Sequence, residues 1–145
     1  MMRLSTRGRY GTRLMLQLAQ NYKNGPVLLK DIALKEDIST GYLEHLLPPL
    51  KAIGLVSATR GAHGGYTLAK PPSEISLRDI VQSLEGSLSP VECLDTPSVC
   101  SRVQRCVSRD IWKLLRDSIY QTLESKTLED LITLQKEKSS HMYYI

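Results

Sequence analysis

The stretch VSATRGAHGGYTL at Val56–Leu68 packs three glycines into five residues between two short alternating runs, Val56–Arg60 and Tyr66–Leu68. That pattern fits little except two short strands joined by a tight glycine turn. Gly54, just upstream, reads as a helix terminator, so the hairpin has to follow a helix. Three helix-length patterns come before it. From Ser5 to about Tyr22, Tyr10, Leu14, Met15, Leu18, Ala19 and Tyr22 recur at helical spacing. Ser5 or Thr6 can cap the start, and Asn24–Pro26 ends it. VLLKDIALKE supplies a second helix with Leu29, Ile32 and Ala33 facing inward. A third begins near Gly41 under a Ser39 or Thr40 cap and carries Tyr42, Leu43, Leu46 and Leu47. Pro48 and Pro49 remove backbone donors at about 3 kcal/mol or more each, so this helix is expected to kink or stop near Leu47. Helix, helix, turn, helix, hairpin is the order of a winged helix-turn-helix, in a mostly α chain.

Charge points to the same region. The chain of 145 residues is about one domain long, with room for an appended helix, and carries a net charge of +4. Residues 1–70 hold ten Lys/Arg against four Asp/Glu, a balance of +6, whereas residues 71–145 stand at −2. The basic half, which holds the hairpin, is the better face for a polyanion, although many domains carry a solvated basic face. No apolar run approaches the ~18 residues of a membrane span. The opening MMRLSTRGRYGTRLM lacks the apolar core and cleavage site of a secretory signal, so a cytoplasmic, membrane-free location is expected. No phosphate-binding glycine loop, zinc-protease motif or nucleophile elbow occurs, and His45, His63 and His141 are scattered. The chain does not read as an enzyme.

Downstream, SEISLRDIVQSLEG makes a short helix, with Ser76 as cap and Asp79 completing a capping box. The next segment, VECLDTPSVCSRVQRC, holds every cysteine of the chain, Cys93, Cys100 and Cys106, in a C-x6-C-x5-C spacing. In a reducing compartment such thiols more often bind metal or sense redox state than form disulfides. An iron–sulfur cluster fits, zinc fits nearly as well, a thiol–disulfide switch needs only two of the three, and simple buried cysteines are a further reading. SRDIWKLLRDSIYQTLESK then forms an amphipathic helix whose stripe, Ile111, Leu114, Leu115, Ile119 and Leu123, is longer than a small domain needs for its own core. TLEDLITLQKEK restarts a short helix with Thr127 as cap. The organisation is thus a DNA-binding unit at 1–85, a cysteine loop at 86–107 and a helical unit at 108–145.

A helix-turn-helix puts the start of its second helix in the major groove. Here those positions are Ser39, Thr40, Gly41, Tyr42, Glu44 and His45. Hydroxyls can bond phosphates or bases, Tyr42 offers a ring and a hydroxyl, and Glu44 can accept from a cytosine amino group. Arg60, at the hairpin tip, can enter a narrow minor groove, where the negative potential is enhanced. The plainer readings are a core role for Tyr42, a surface charge for Glu44, a solvated His45 and a turn role for His63.

RLSTRGRYGTRLM, STGYLEHL, GLVSATRGAHGGYTLAK, SLRDIVQSLEG, the three cysteines and SRDIWKLL follow the order of motifs in the bacterial winged-helix repressor family that includes IscR and NsrR, which the chain resembles over nearly its whole length. IscR, the regulator of iron–sulfur cluster biogenesis, is the nearer likeness. STRGRYG, SPVE and the closing MYYI are also similar to CymR, a cysteine-metabolism repressor of that family without the cysteines. The resemblance implies a homodimer paired through the long helix at about Ser108–Ser125, and double-stranded operator DNA gripped by Ser39, Tyr42, Glu44 and Arg60. It also implies an iron–sulfur cluster on Cys93, Cys100 and Cys106, the 2Fe–2S form ahead of 4Fe–4S. Where IscR-like proteins carry a histidine ligand this chain has Arg109, and where NsrR-like ones carry an acidic ligand it has Arg9; arginine is a poor ligand. Asp110 is the nearest substitute, ahead of Glu92, His141 or an exogenous ligand, and competes with its own role as helix cap or partner of Arg109. The CymR-like features imply instead control of cysteine metabolism through a protein partner or thiol oxidation.

Overall fold

In the computed structural model residues 2–143 are described; Met1 and residues 144–145, the end of the MYYI motif, lie outside the described residues. The first helix, α1 (Thr6–Gln20), starts where Ser5 leaves the extended conformation and its hydroxyl accepts the Arg7 N–H at 3.2 Å. It buries Leu14, Met15 and Leu18 almost completely. Helix α2 (Leu29–Glu36) ends at Asp37 in the left-handed region, φ 54°, with its N–H returned to the Ala33 carbonyl. Short polar side chains tolerate that conformation better than branched ones. Ser39 then caps α3 (Thr40–Ala52) by accepting the Tyr42 N–H at 3.1 Å.

Helix α3 does not stop near Leu47; it runs through Pro48 and Pro49 to Ala52. Burial explains why the helix continues. Leu46, Leu47 and Leu50 are at most 3% exposed, so the turn beyond the prolines carries core contacts that a break would forfeit. Glu44 and His45, whose carbonyls lose their partners to the prolines, are on the exposed side, where water can satisfy those oxygens.

Strands β1 (Val56–Thr59) and β2 (Gly65–Leu68) pair antiparallel, Val56 opposite Leu68 and Thr59 opposite Gly65. Val27 adds a bridge on the far side of β2: it and Tyr66 exchange N–H···O bonds of 2.9 Å in both directions. Gly65 makes the bridge feasible. It sits at φ +148°, and a Cβ there would lie 2.5 Å from the Val27 carbonyl oxygen. Helix α4 (Leu77–Glu85) carries both halves of the expected Ser76–Asp79 capping box, 3.1 Å each way.

Two short 3-10 turns, Glu92–Leu94 and Pro97–Val99, lead to α5 (Val107–Glu124) and then α6 (Leu128–Tyr143). Thr127 caps α6 as expected, accepting the Asp130 N–H at 3.2 Å. This helix is longer than the short one read from the pattern, and its start turns back onto the elements before the thiol loop. Leu128 is fully buried, its N–H donates to the Ile75 carbonyl, and the Leu77 N–H donates to the Lys126 carbonyl. One apolar core thus joins α1, α2, α3, the hairpin, α4 and the start of α6. Helix α5 buries none of its residues, and Ile111 and Leu114 are 56% and 63% exposed.

Candidate nucleic-acid interface and thiol loop

The start of α3 and the hairpin tip present most of the expected DNA-reading residues to solvent. Ser39, Thr40, Gly41, Glu44, His45, Arg60 and His63 are exposed, while Leu43, Leu46 and Leu47 of the same helix are buried. This split follows from helical geometry: residues three and four apart share a face, so anchoring one face in the core turns the other outward. Ser39 has a second task. Its oxygen accepts the Tyr42 N–H, which leaves its hydroxyl hydrogen for an outside acceptor such as a phosphate.

Tyr42 is half-buried and packs against the core. Its ring meets the Tyr10 ring edge-on, with centroids 5.7 Å apart and planes at 80°. Arg13 lies over the Tyr10 ring at 5.2 Å and is ion-paired to Glu36 at 2.8 Å, and Glu36 also accepts from the Gln17 amide at 2.9 Å. These supports behind Tyr42 were not legible as a group in the sequence. The Tyr10–Arg13 spacing of one helical turn was the only available signal.

The thiol loop is tied at its base. Asp95 accepts from the Ser87 hydroxyl and, at 2.9 Å, from the Ser89 hydroxyl, and these two bonds hold its carboxyl below the usual range, Ser87 first. Cys93 is on the Glu92–Leu94 turn and half-buried, Cys100 follows the second turn and is exposed, and Cys106 is the half-buried N-cap residue of α5. The Ser108 hydroxyl, 3.2 Å from the Cys106 sulfur, lowers that thiol's pKa, aided by the Arg109 backbone N–H. Both donors favour the thiolate. Asp110, in the first turn of α5, is exposed and opposes the shift by its charge.

Arg109 points the other way, into the loop. Its guanidinium donates to the Cys93 carbonyl at 3.3 Å, and its Nε is buried without a hydrogen-bond partner among the described residues.

A model of the Rrf2 family, described as iron-dependent transcriptional regulators, matches residues 4–134. The chain belongs to the Rrf2 family. As an Rrf2 protein it is a DNA-binding transcriptional regulator, which agrees with the mostly helical winged fold. It is 41% identical to the HTH-type transcriptional regulator CymR of Bacillus subtilis, over 99% of this chain and all of that protein. The solved CymR, described as the global cysteine regulator of B. subtilis, superposes with a TM-score of 0.77 over 92% of this chain and 98% of its own. IscR of Photorhabdus laumondii is 38% identical over 93% of this chain and 82% of that protein. The structure of T. potens IscR matches with a TM-score of 0.78 at 38% identity, covering 94% of this chain and 90% of its own.

The donor set of this Rrf2 protein can be weighed against the cluster that IscR likeness implies. Three thiolates are suitable chemistry for iron and sulfide. Yet among the described residues no three Cys, His, Asp or Glu side chains form a group that could hold a metal ion. The place of the implied histidine is taken by a guanidinium bonded to the loop backbone, which cannot ligate. As arranged, the loop is not a four-ligand site.

Proposed function

We propose that this Rrf2 regulator is a homodimeric repressor that grips double-stranded operator DNA through Ser39, Thr40, Tyr42, Glu44, His45 and Arg60, with residues 86–107 as its sensing element. The observation that carries the DNA reading is that the α3 start exposes a polar face and the wing exposes Arg60, both on the basic half of the chain. Dimerisation is supported by α5, an 18-residue amphipathic helix that leaves Ile111 and Leu114 uncovered within one chain. A stripe of this kind fits a second copy of the same helix. The units 1–85, 86–107 and 108–145 then divide the work into DNA contact, sensing and pairing.

For the sensed signal, the first reading is an iron–sulfur cluster that would draw Cys93, Cys100 and Cys106 together out of the arrangement described above, with Asp110 as the nearest protein candidate for a fourth ligand. Its support is the concentration of all three thiols in one loop and the likeness to IscR proteins. Arg109 and the thiolate-favouring surroundings of Cys106 support a second reading, a CymR-like repressor governed by thiol oxidation or a protein partner. Anaerobic purification followed by iron, sulfide and zinc quantification separates them. Stoichiometric iron and sulfide, a visible absorption band and altered affinity for duplex DNA on loss of colour are the outcome expected of a cluster sensor. Colourless, metal-free protein whose DNA affinity responds to peroxide would replace it with the thiol reading; stoichiometric zinc would make the metal structural.

A further inference from the structure

We infer that Tyr10, on α1 and outside the recognition helix, is a positioning residue for base reading by Tyr42. This rests on the operator-binding reading above and names one determinant of its specificity. A tyrosine reading a base edge loses side-chain freedom on binding unless something has already ordered it. Within the free chain Tyr42 is ordered from behind. Its N–H is held by Ser39 at 3.1 Å, and its ring is met edge-on by Tyr10 at 5.7 Å. Tyr10 is itself fixed. The Arg13 guanidinium stands 5.2 Å from its ring centroid and that of Arg9 at 5.8 Å, both within cation–π range.

Arg13 is fixed in turn. It forms an ion pair with the Glu36 carboxylate at 2.8 Å and donates to the Glu36 backbone carbonyl. The second carboxylate oxygen of Glu36 accepts from Gln17, a polar side chain only 9% exposed. The line Gln17–Glu36–Arg13–Tyr10–Tyr42 therefore joins α1, α2 and α3 and ends on a residue of the exposed α3 start. A pair that merely filled the core would need neither the ion pair nor the second cation. The placement of Tyr10 ahead of Tyr42 also has a chemical sense: edge-to-face pairs set the relative orientation of two rings, not only their burial.

The test begins with a random-sequence duplex library selected by wild-type protein; the enriched duplex then serves for titrations at several salt concentrations. Tyr10→Leu keeps an apolar side chain against the core but removes the ring. Its affinity should fall about three- to tenfold, the order expected from one ring pair and one freed side chain. Base preference should flatten at one position of the enriched motif, the same position that Tyr42→Phe affects, while the salt slope stays at the wild-type value because no phosphate contact is lost. Tyr10→Phe should restore both. Should Tyr10→Leu fail to fold, Arg13→Gln leaves every core side chain in place and should flatten the same position. Folded Tyr10→Leu, or Arg13→Gln in its stead, with unchanged affinity and preference overturns the inference and leaves operator binding standing. Wild-type protein that enriches no duplex overturns the operator reading itself.

Discussion

Gly11 on α1 faces α4, and replacing it by alanine opposes two effects of known sign. In an open helix the change is favourable by about 1 kcal/mol, because glycine loses more backbone freedom on folding. Here the new methyl would stand 2.0 Å from Leu84 Cδ1 and 3.5 Å from Leu84 Cγ. Ordinary carbon–carbon contact is roughly 3.5–4.0 Å, so the leucine must move well over an ångström. Leu84 is 3% exposed and belongs to the shared core, which leaves its side chain little room to rotate. Overpacking costs about 1–3 kcal/mol, and a displacement of this size in a closed core belongs in the upper part of that range, about 2–3 kcal/mol. The steric term wins, and Gly11→Ala should be destabilised by about 1–2 kcal/mol, lowering Tm by roughly 3–8 °C for a chain of this size. Gly41→Ala, where a Cβ meets nothing within 4 Å, is the internal control and should be neutral or slightly stabilising. Urea and thermal unfolding of Gly11→Ala, Leu84→Val and the double variant measure the coupling. A Gly11→Ala protein at least as stable as wild type, or a double variant no better than the sum of the singles, would refute close α1–α4 packing at this point.

Other outcomes follow from the site and from α5. Arg60→Ala should weaken binding to the selected duplex and reduce the salt slope by about one counterion, read by fluorescence anisotropy across salt concentrations; an unchanged slope removes the wing arginine from the interface. Leu114→Glu puts a charge on the uncovered α5 stripe and should yield monomer in sedimentation experiments with the helical spectrum kept, whereas persistent dimer would mean that pairing uses another surface. Cys106 titrates below the ordinary thiol range because the Ser108 hydroxyl and the Arg109 N–H favour its thiolate, so its reactivity is gained at lower pH as the proton leaves. In a background with Cys93→Ser and Cys100→Ser, Ser108→Ala should move the pH profile of iodoacetamide alkylation upward. An unmoved profile would show that the hydroxyl does not tune the thiol.

Much of the fold was readable along the chain because the signals are local. Ser5, Ser39, Ser76 and Thr127 cap helices as their spacing suggests, since a cap is decided by a side chain and an N–H two or three residues away. The glycine turn between β1 and β2 belongs to the same class. The exposed start of α3 follows from its apolar period, and the family follows from the order of short motifs along most of the chain.

What tertiary structure alone decided depends on groups far apart in sequence. Helix α3 survives two prolines because Leu50 is buried by partners that the local pattern does not name. Val27 joins β2 because a backbone with no side chain at Gly65 leaves space for it. Tyr42 gains an orienting ring from α1, 32 positions away by number, and Arg109 closes the loop onto the Cys93 carbonyl at a separation of 16 residues. Helix α6 returns to the core through Leu128 although its sequence marks only where a helix begins. Chain-local hydrogen bonds need no knowledge of the rest of the molecule; burial, ring orientation and the spacing of three sulfurs are properties of a packed arrangement and arise only once distant segments have met.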